Sequence, residues 1–228
     1  MFSMSVDTSR KARIEEMRRA DKSRERRNRI VAFSVGGAVL AGLIGFGAYV
    51  FTKESDRKNS EVADAKGPIK GEKVWDAKKL GRTHVTKQVT YPMTPPVGGD
   101  HHQAWMNCQG DVYKKPVPAM NAVHSLEHGA VWVTYNDKAP KADLDKLAAK
   151  VKKTQYSLMS PLQEQAGPIM LSAWGKQVTV DGADDPRVNR FFTRYVMGPQ
   201  TPEPGAACSN GVTLDASGAP VMGGGMRE

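Results

Sequence analysis

From Ile30 to Phe51 the chain runs for 22 residues without a charged side chain, IVAFSVGGAVLAGLIGFGAYVF. As a helix this run is about 33 Å long, against a hydrocarbon core of about 30 Å, so it is long enough to span a bilayer. Hydrophobic solvation drives such a segment into lipid. Residues 1–29 carry ten Lys or Arg against five Asp or Glu, which places +5 of the formal net charge of +9 immediately before the run. A Lys/Arg cluster beside a span stays on the cytoplasmic side. The expectation is therefore a single-pass protein of the cell membrane, with its N-terminus cytoplasmic and everything after the run outside.

Two other readings of this segment fit less well. A cleavable signal peptide has a shorter apolar stretch of about 7–15 residues and a small-x-small cleavage site, whereas this run ends Tyr49-Val50-Phe51-Thr52. A basic arm for nucleic acid is not required once the span accounts for the charge, and no nucleic-acid motif follows. The expected partners are thus the lipid bilayer and a membrane-protein partner, with no nucleic acid. Gly37, Ala41 and Gly45 form a small-xxx-small stripe that would let two helices approach closely as a homodimer.

The remainder divides by composition into a linker over 53–71, a folded exoplasmic domain over 72–211 and a flexible tail over 212–228, following a basic tail (1–29) and the transmembrane segment (30–52). Two Cys are too few for a disulfide-rich mini-fold or a four-Cys zinc module. A strand is expected around His84 to Thr90. The stretch from Pro92 to Pro118 reads as a long irregular loop, of the kind that often carries function. Ala130 to Tyr135 alternates like a strand. Leu144, Leu147, Ala148 and Val151 mark an amphipathic helix beginning near Pro140. Pro168–Trp174 and Gln177–Asp181 read as strands joined at Gly175-Lys176 by a type II′ turn. Asp185, Pro186 and the stripe Val188, Phe191, Phe192, Tyr195, Val196 define a capped helix ended by Gly198-Pro199. This order predicts an α+β fold, a mainly antiparallel sheet with helices on one face.

All five histidines, His84, His101, His102, His124 and His128, lie after the apolar run. His124-Ser125-Leu126-Glu127-His128 matches H-x-x-E-H, in which two His one helical turn apart bind zinc and the Glu activates its water. On a helix these His are about 40° apart in projection and can share an ion; on a strand their Cα atoms would be about 13 Å apart. Asn121 is suited to cap such a helix and Gly129 to end it. Three functional classes follow. In the first, His124 and His128, with His101 or His102, bind a transition metal, zinc or copper; Met106 and Met120 would suit copper. In the second, Glu127 is the catalytic base of a zinc-dependent hydrolase, a reading weakened because the acids available as a third zinc ligand, Glu164, Glu203 and Glu228, sit on no predicted helix. In the third, the histidines are hydrogen-bonded supports in a non-enzymatic accessory or interaction module of a membrane complex. Beyond a metal, no cofactor is implied, and on balance the chain does not read as an enzyme. Cys108 and Cys208 either pair, closing a loop worth up to about 4.7 kcal/mol in the chain-entropy treatment, or leave Cys108 as a free thiolate beside His101 and His102.

The run His101 to Tyr113 with Trp105 and Cys108, then Asn121-Ala122-Val123-His124-Ser125-Leu126-Glu127-His128-Gly129-Ala130-Val131, and then Ala173-Trp174-Gly175, resembles the bacterial domain-of-unknown-function family 3105. The resemblance covers roughly Gly71 to Gly211. It implies a single-span membrane protein with an exported domain and carries no activity with it. It also lowers the peptidase reading.

Overall fold

The computed structural model describes residues 17, 19, 22, 24–27, 29, 42–53 and 67–222. The chain forms two units, Met1–Asn59 and Ser60–Glu228. In the first, residues 42–53 are helical with exposed side chains. They form the C-terminal part of the apolar run, whose residues 30–41 lie outside the described residues. Among the described residues no helix is long and apolar enough to cross a membrane.

The second unit is built on a six-stranded sheet ordered β1-β6-β5-β3-β4-β2. Its strands are β1 (Lys73–Val74), β2 (Gln109–Val112), β3 (Val131–Tyr135), β4 (Ser157–Pro161), β5 (Ile169–Ala173) and β6 (Lys176–Val180). The β1/β6, β6/β5 and β5/β3 pairs are antiparallel. The β3/β4 and β4/β2 pairs are parallel. Parallel neighbours need a long crossover, and the helix α2 (Lys141–Lys152) supplies it between β3 and β4. The fold is therefore α+β with a mainly antiparallel sheet.

The strands β3, β4 and β5 are buried almost throughout, so both faces of the sheet need cover. Val131, Val133, Met159, Ile169 and Leu171 pack against Leu147 and Val151 of α2 and against Val188, Phe191, Phe192 and Tyr195 of α3 (Pro186–Tyr195). Trp132 and Leu158, alternating with these, point to the other face and meet Ala122, Val123 and Leu126 of α1 (Ala119–Glu127). Helices therefore lie on both faces, not on the one expected, because the central strands are apolar on both sides.

Local signals placed several elements correctly. Asp185 caps α3 by accepting from the Arg187 N–H at 2.9 Å, with Pro186 in the first turn. Elsewhere the structure corrects the expectations. The two-residue β5–β6 turn is Trp174-Gly175, because Ala173 pairs with Lys176; Gly175, at φ 66°, occupies the second central position rather than the first. The strand expected over 84–90 is reduced to one bridge, His84 to His101. Strand β2 falls inside the expected loop, disguised by a register shift between Gln109 and Asp111 where Gly110 adopts φ 92°. Within the expected flexible tail over 212–228, β7 (Val212–Leu214) and β8 (Pro220–Met222) form a hairpin and Val212 bridges to Met106, while residues 223–228 lie outside the described residues. Cys108 and Cys208 form a disulfide with Cα atoms 4.9 Å apart, so a free Cys108 thiolate is excluded as nucleophile or ligand.

Candidate metal centre

The H-x-x-E-H residues do lie on a helix. Pro118 precedes α1 without a side-chain cap. Asn121, the expected cap, sits inside the helix, where its Nδ2 donates to the Ala104 carbonyl at 2.6 Å. Gly129 ends the helix as expected, at φ 106°. Its N–H bonds Leu126 O at 3.1 Å and the Ala130 N–H bonds Ser125 O at 3.0 Å, the paired bonds of a glycine-terminated helix. A side chain at Gly129 would approach the Met197 sulfur to 2.9 Å. Residues 120–127 are all buried, because the loops before α1 and after α3 close over the helix face that the sheet leaves free. Ser125 Oγ ties the helix to that first loop through the Met106 carbonyl at 2.8 Å.

This wrapping brings distant histidines to the helix. Val85 N–H donates to His101 O at 2.8 Å and His101 N–H to Thr83 O at 3.0 Å, which sets His84 beside His101. The rings of His84, His101 and His124 form a triangle with centroids 4.7 to 5.0 Å apart. Their nitrogens and a Glu127 oxygen converge so that one donor atom from each lies within 4.8 Å of the others. Ligand atoms around a tetrahedral zinc, at about 2.1 Å from the ion, are about 3.4 Å apart. His84, whose side chain is 47% exposed, is the one donor with room to adjust.

The hydrogen bonds behind the rings set their chemistry. His101 Nδ1 lies 2.8 Å from Gly99 O, and His124 Nδ1 2.8 Å from His102 O. A carbonyl only accepts, so each Nδ1 carries the proton and, in the neutral ring, each Nε2 presents a lone pair. Histidines that bind metals are held in this way. Opposite them, Glu127 is divided: Oε1 accepts from Arg82 Nε at 2.7 Å, while Oε2 lies 2.9 Å from His101 Nε2 and 4.0 Å from His84 Nε2. The His101 contact lacks hydrogen-bond alignment, and both of its atoms are buried with no hydrogen-bond partner among the described residues. A lone pair facing a carboxylate oxygen in a dry site is costly unless a proton or a metal cation joins them.

Electrostatics favours the neutral form of His124 and His128 and the ionised form of Glu127, whereas His101 holds its proton more tightly than a free imidazole. Burial, reinforced by neighbouring His128, holds His124 down to about 4, and burial also lowers His128. Burial pushes Glu127 upward, but His101 and Arg82 prevail and hold it down to about 2. For His101 burial acts downward, and the Glu127 and Gly99 contacts outweigh it to leave a raised value.

Of the four expected ligands, His101 and His124 converge. His102 does not: its Nδ1 accepts the Ala104 N–H at 3.0 Å, and its carbonyl anchors His124. His128 meets His124 edge to face, with centroids 4.4 Å apart, yet lies outside the four-donor group. His84 and Glu127 take their places. Glu127 thus lies within the four-donor group with one oxygen tied to Arg82. Nothing in the local spacing of His84 indicated its role, which depends on backbone pairing with a loop. Met106 is fully buried in the apolar cluster with Cys108, Tyr113 and Val117.

Residues 84–210, more than half of the chain, match the family described as "Protein of unknown function (DUF3105)". The match begins at His84 and takes in every donor of the cluster. No curated protein and no solved structure matches the chain.

Proposed function

We propose that this chain, which belongs to the DUF3105 family, is a membrane-anchored protein whose exoplasmic domain binds one divalent transition-metal ion, zinc or copper(II), through His84, His101, His124 and Glu127. The observation that carries this reading is the facing of His101 Nε2 and Glu127 Oε2, 2.9 Å apart, buried and without hydrogen bonds, inside a ring of further Nε2 donors. Three imidazoles and one carboxylate form a borderline set that suits zinc or copper(II). No thiolate is available, because both cysteines are paired.

The location rests on separate observations. The uncharged run behind a basic segment supports an anchor with its N-terminus inside. A disulfide within the domain supports an oxidising compartment. The expected partners remain the bilayer, a neighbouring membrane protein and a second copy through the span. Hydrolysis is the weaker use of the site: a general base works best with a pKa near the working pH, and Glu127 is held near 2.

The test is elemental analysis of the full-length chain, exported by its own anchor, purified in detergent and dialysed. The native protein is expected to retain one equivalent of zinc or copper, and a His101→Ala/His124→Ala protein none. A folded native protein that takes up neither metal after reconstitution would overturn the reading.

A further inference from the structure

A second histidine–carboxylate pair lies beside the first, on the residue that follows Glu127. His128 Nδ1 lies 2.6 Å from the Ala207 carbonyl. By the argument used for His101 and His124, Nδ1 donates and Nε2 offers a lone pair. That side chain is 4% exposed, and its Nε2 faces Glu203 Oε2 at 4.0 Å. With the His128 ring neutral, both atoms are acceptors. The other Glu203 oxygen, Oε1, takes Arg82 Nη2 at 3.3 Å. Arg82 therefore spans two carboxylates, bonding one oxygen of each, and leaves the second oxygen of each facing a histidine Nε2. Glu203 is also fixed through its backbone, whose N–H donates to Glu127 O at 3.0 Å. The outer pair adjoins the inner cluster where the His128 ring meets that of His124, 4.4 Å between centroids.

The pairs differ in what surrounds them. His101 and Glu127 are almost fully buried and have His84 and His124 beside them. Glu203 is 45% exposed, so its pair opens to solvent and has two protein donors rather than four. A divalent transition metal completes its coordination with water where the protein supplies fewer ligands.

We propose that His128 Nε2 and Glu203 Oε2 hold a second, exchangeable divalent transition-metal ion next to the inner one, with Arg82 orienting both carboxylates. This rests on the four-donor reading above, and it assigns to the outer pair a role that the inner ion alone does not require.

Zinc and copper(II) are the probes, applied to the full-length protein in detergent. At saturating zinc the native chain is expected to bind two equivalents, of which a weak chelator removes one. His128→Gln and Glu203→Gln should each lose the removable equivalent and keep the retained one; Glu203→Gln, at a half-exposed position, guards against misfolding. His84→Ala should lose the retained equivalent instead. With two equivalents of copper(II), electron paramagnetic resonance of the native protein should show dipolar broadening that Glu203→Gln abolishes. Saturation of the native chain at one equivalent would overturn the second site and leave the first standing. Retention of two equivalents by both outer variants, or loss of both equivalents from Glu203→Gln, would overturn it as well. Binding of no zinc at all would remove both sites together.

Discussion

Replacing Glu127 with glutamine distinguishes a structural carboxylate from a metal-binding one. The two side chains have nearly the same shape, which matters at a position only 1% exposed. In the metal-free protein a glutamine keeps an oxygen for Arg82 Nε, 2.7 Å away in the native contact, and can turn an N–H toward the unpartnered Nε2 of His101. The ion pair that is lost joins a half-exposed arginine to a carboxylate 1% exposed, so its loss costs between about 0–1 kcal/mol, as for a surface pair, and about 3–5 kcal/mol, as for a buried one. The hydrogen bond gained contributes about 0.5–1.5 kcal/mol. The gain offsets part of the loss, so the metal-free variant should unfold a few degrees below the native protein. Zinc should reveal the difference. At about 1,000 times its Kd a bound ion stabilises the native state by about 4.1 kcal/mol, and at about 2–4 °C per kcal/mol for a chain of this size Tm should rise by about 8–16 °C. Loss of an anionic ligand should weaken binding about 100-fold, the upper end of what removing even an outer partner costs. That subtracts about 2.7 kcal/mol and leaves a rise of about 3–6 °C at the same zinc concentration. The assay is thermal unfolding of the full-length chain in detergent, followed by near-ultraviolet circular dichroism with and without zinc. An unreduced zinc-dependent rise in Glu127→Gln would refute the assignment of Glu127 as a donor. A metal-free variant unfolding more than about 10 °C early would show that the carboxylate is primarily structural.

Arg82→Ala is expected to weaken zinc binding by about 10–100-fold, measured by calorimetric titration, because the arginine orients the Glu127 carboxylate without touching the ion; Arg82→Lys should recover only part, lacking the fork that reaches both Glu127 and Glu203. Zinc uptake near pH 7 should release protons from His101, whose value is raised, but none from His124, held near 4; binding enthalpies independent of buffer would contradict this. In the metal-free protein the sign follows from the same residue: a raised folded value means that His101 stabilises the fold below its unfolded value near 6.5 and loses that contribution as pH rises through the folded value. Denaturant unfolding of native and His101→Ala proteins across that interval should therefore converge toward high pH. A Cys108→Ser/Cys208→Ser protein should lose up to about 4.7 kcal/mol of stability and loosen the Ala207 carbonyl that orients His128; reductant should then have no further effect on its unfolding.

Elements whose signals lie within a few residues were legible. Helix α3 has its cap, its proline and its apolar stripe in one segment, and β3 is β-branched or aromatic at all five residues. Strand β4 was not legible, because Ser157 and Ser160 read as polar. In the fold Ser157 Oγ donates to the Val151 and Thr154 carbonyls, and Ser160 Oγ accepts the Trp132 indole N–H at 3.0 Å. A buried hydroxyl with partners costs little, but those partners are remote in sequence or hidden in a turn.

By itself, the sequence determined that an uncharged run follows a basic segment, that an α+β domain comes after it, that two cysteines stand ready to pair, and that His124 and Glu127 share a helix. Each follows from local composition or period. Only the tertiary structure decided which histidines meet. His84 reaches the site through a backbone bridge to His101, and His102 is turned away because its ring accepts an N–H while its carbonyl holds His124. His128 was left beside the inner group rather than in it. Ligand geometry depends on which backbone carbonyl anchors each ring, and those carbonyls are supplied by loops that only the packed sheet brings to the helix.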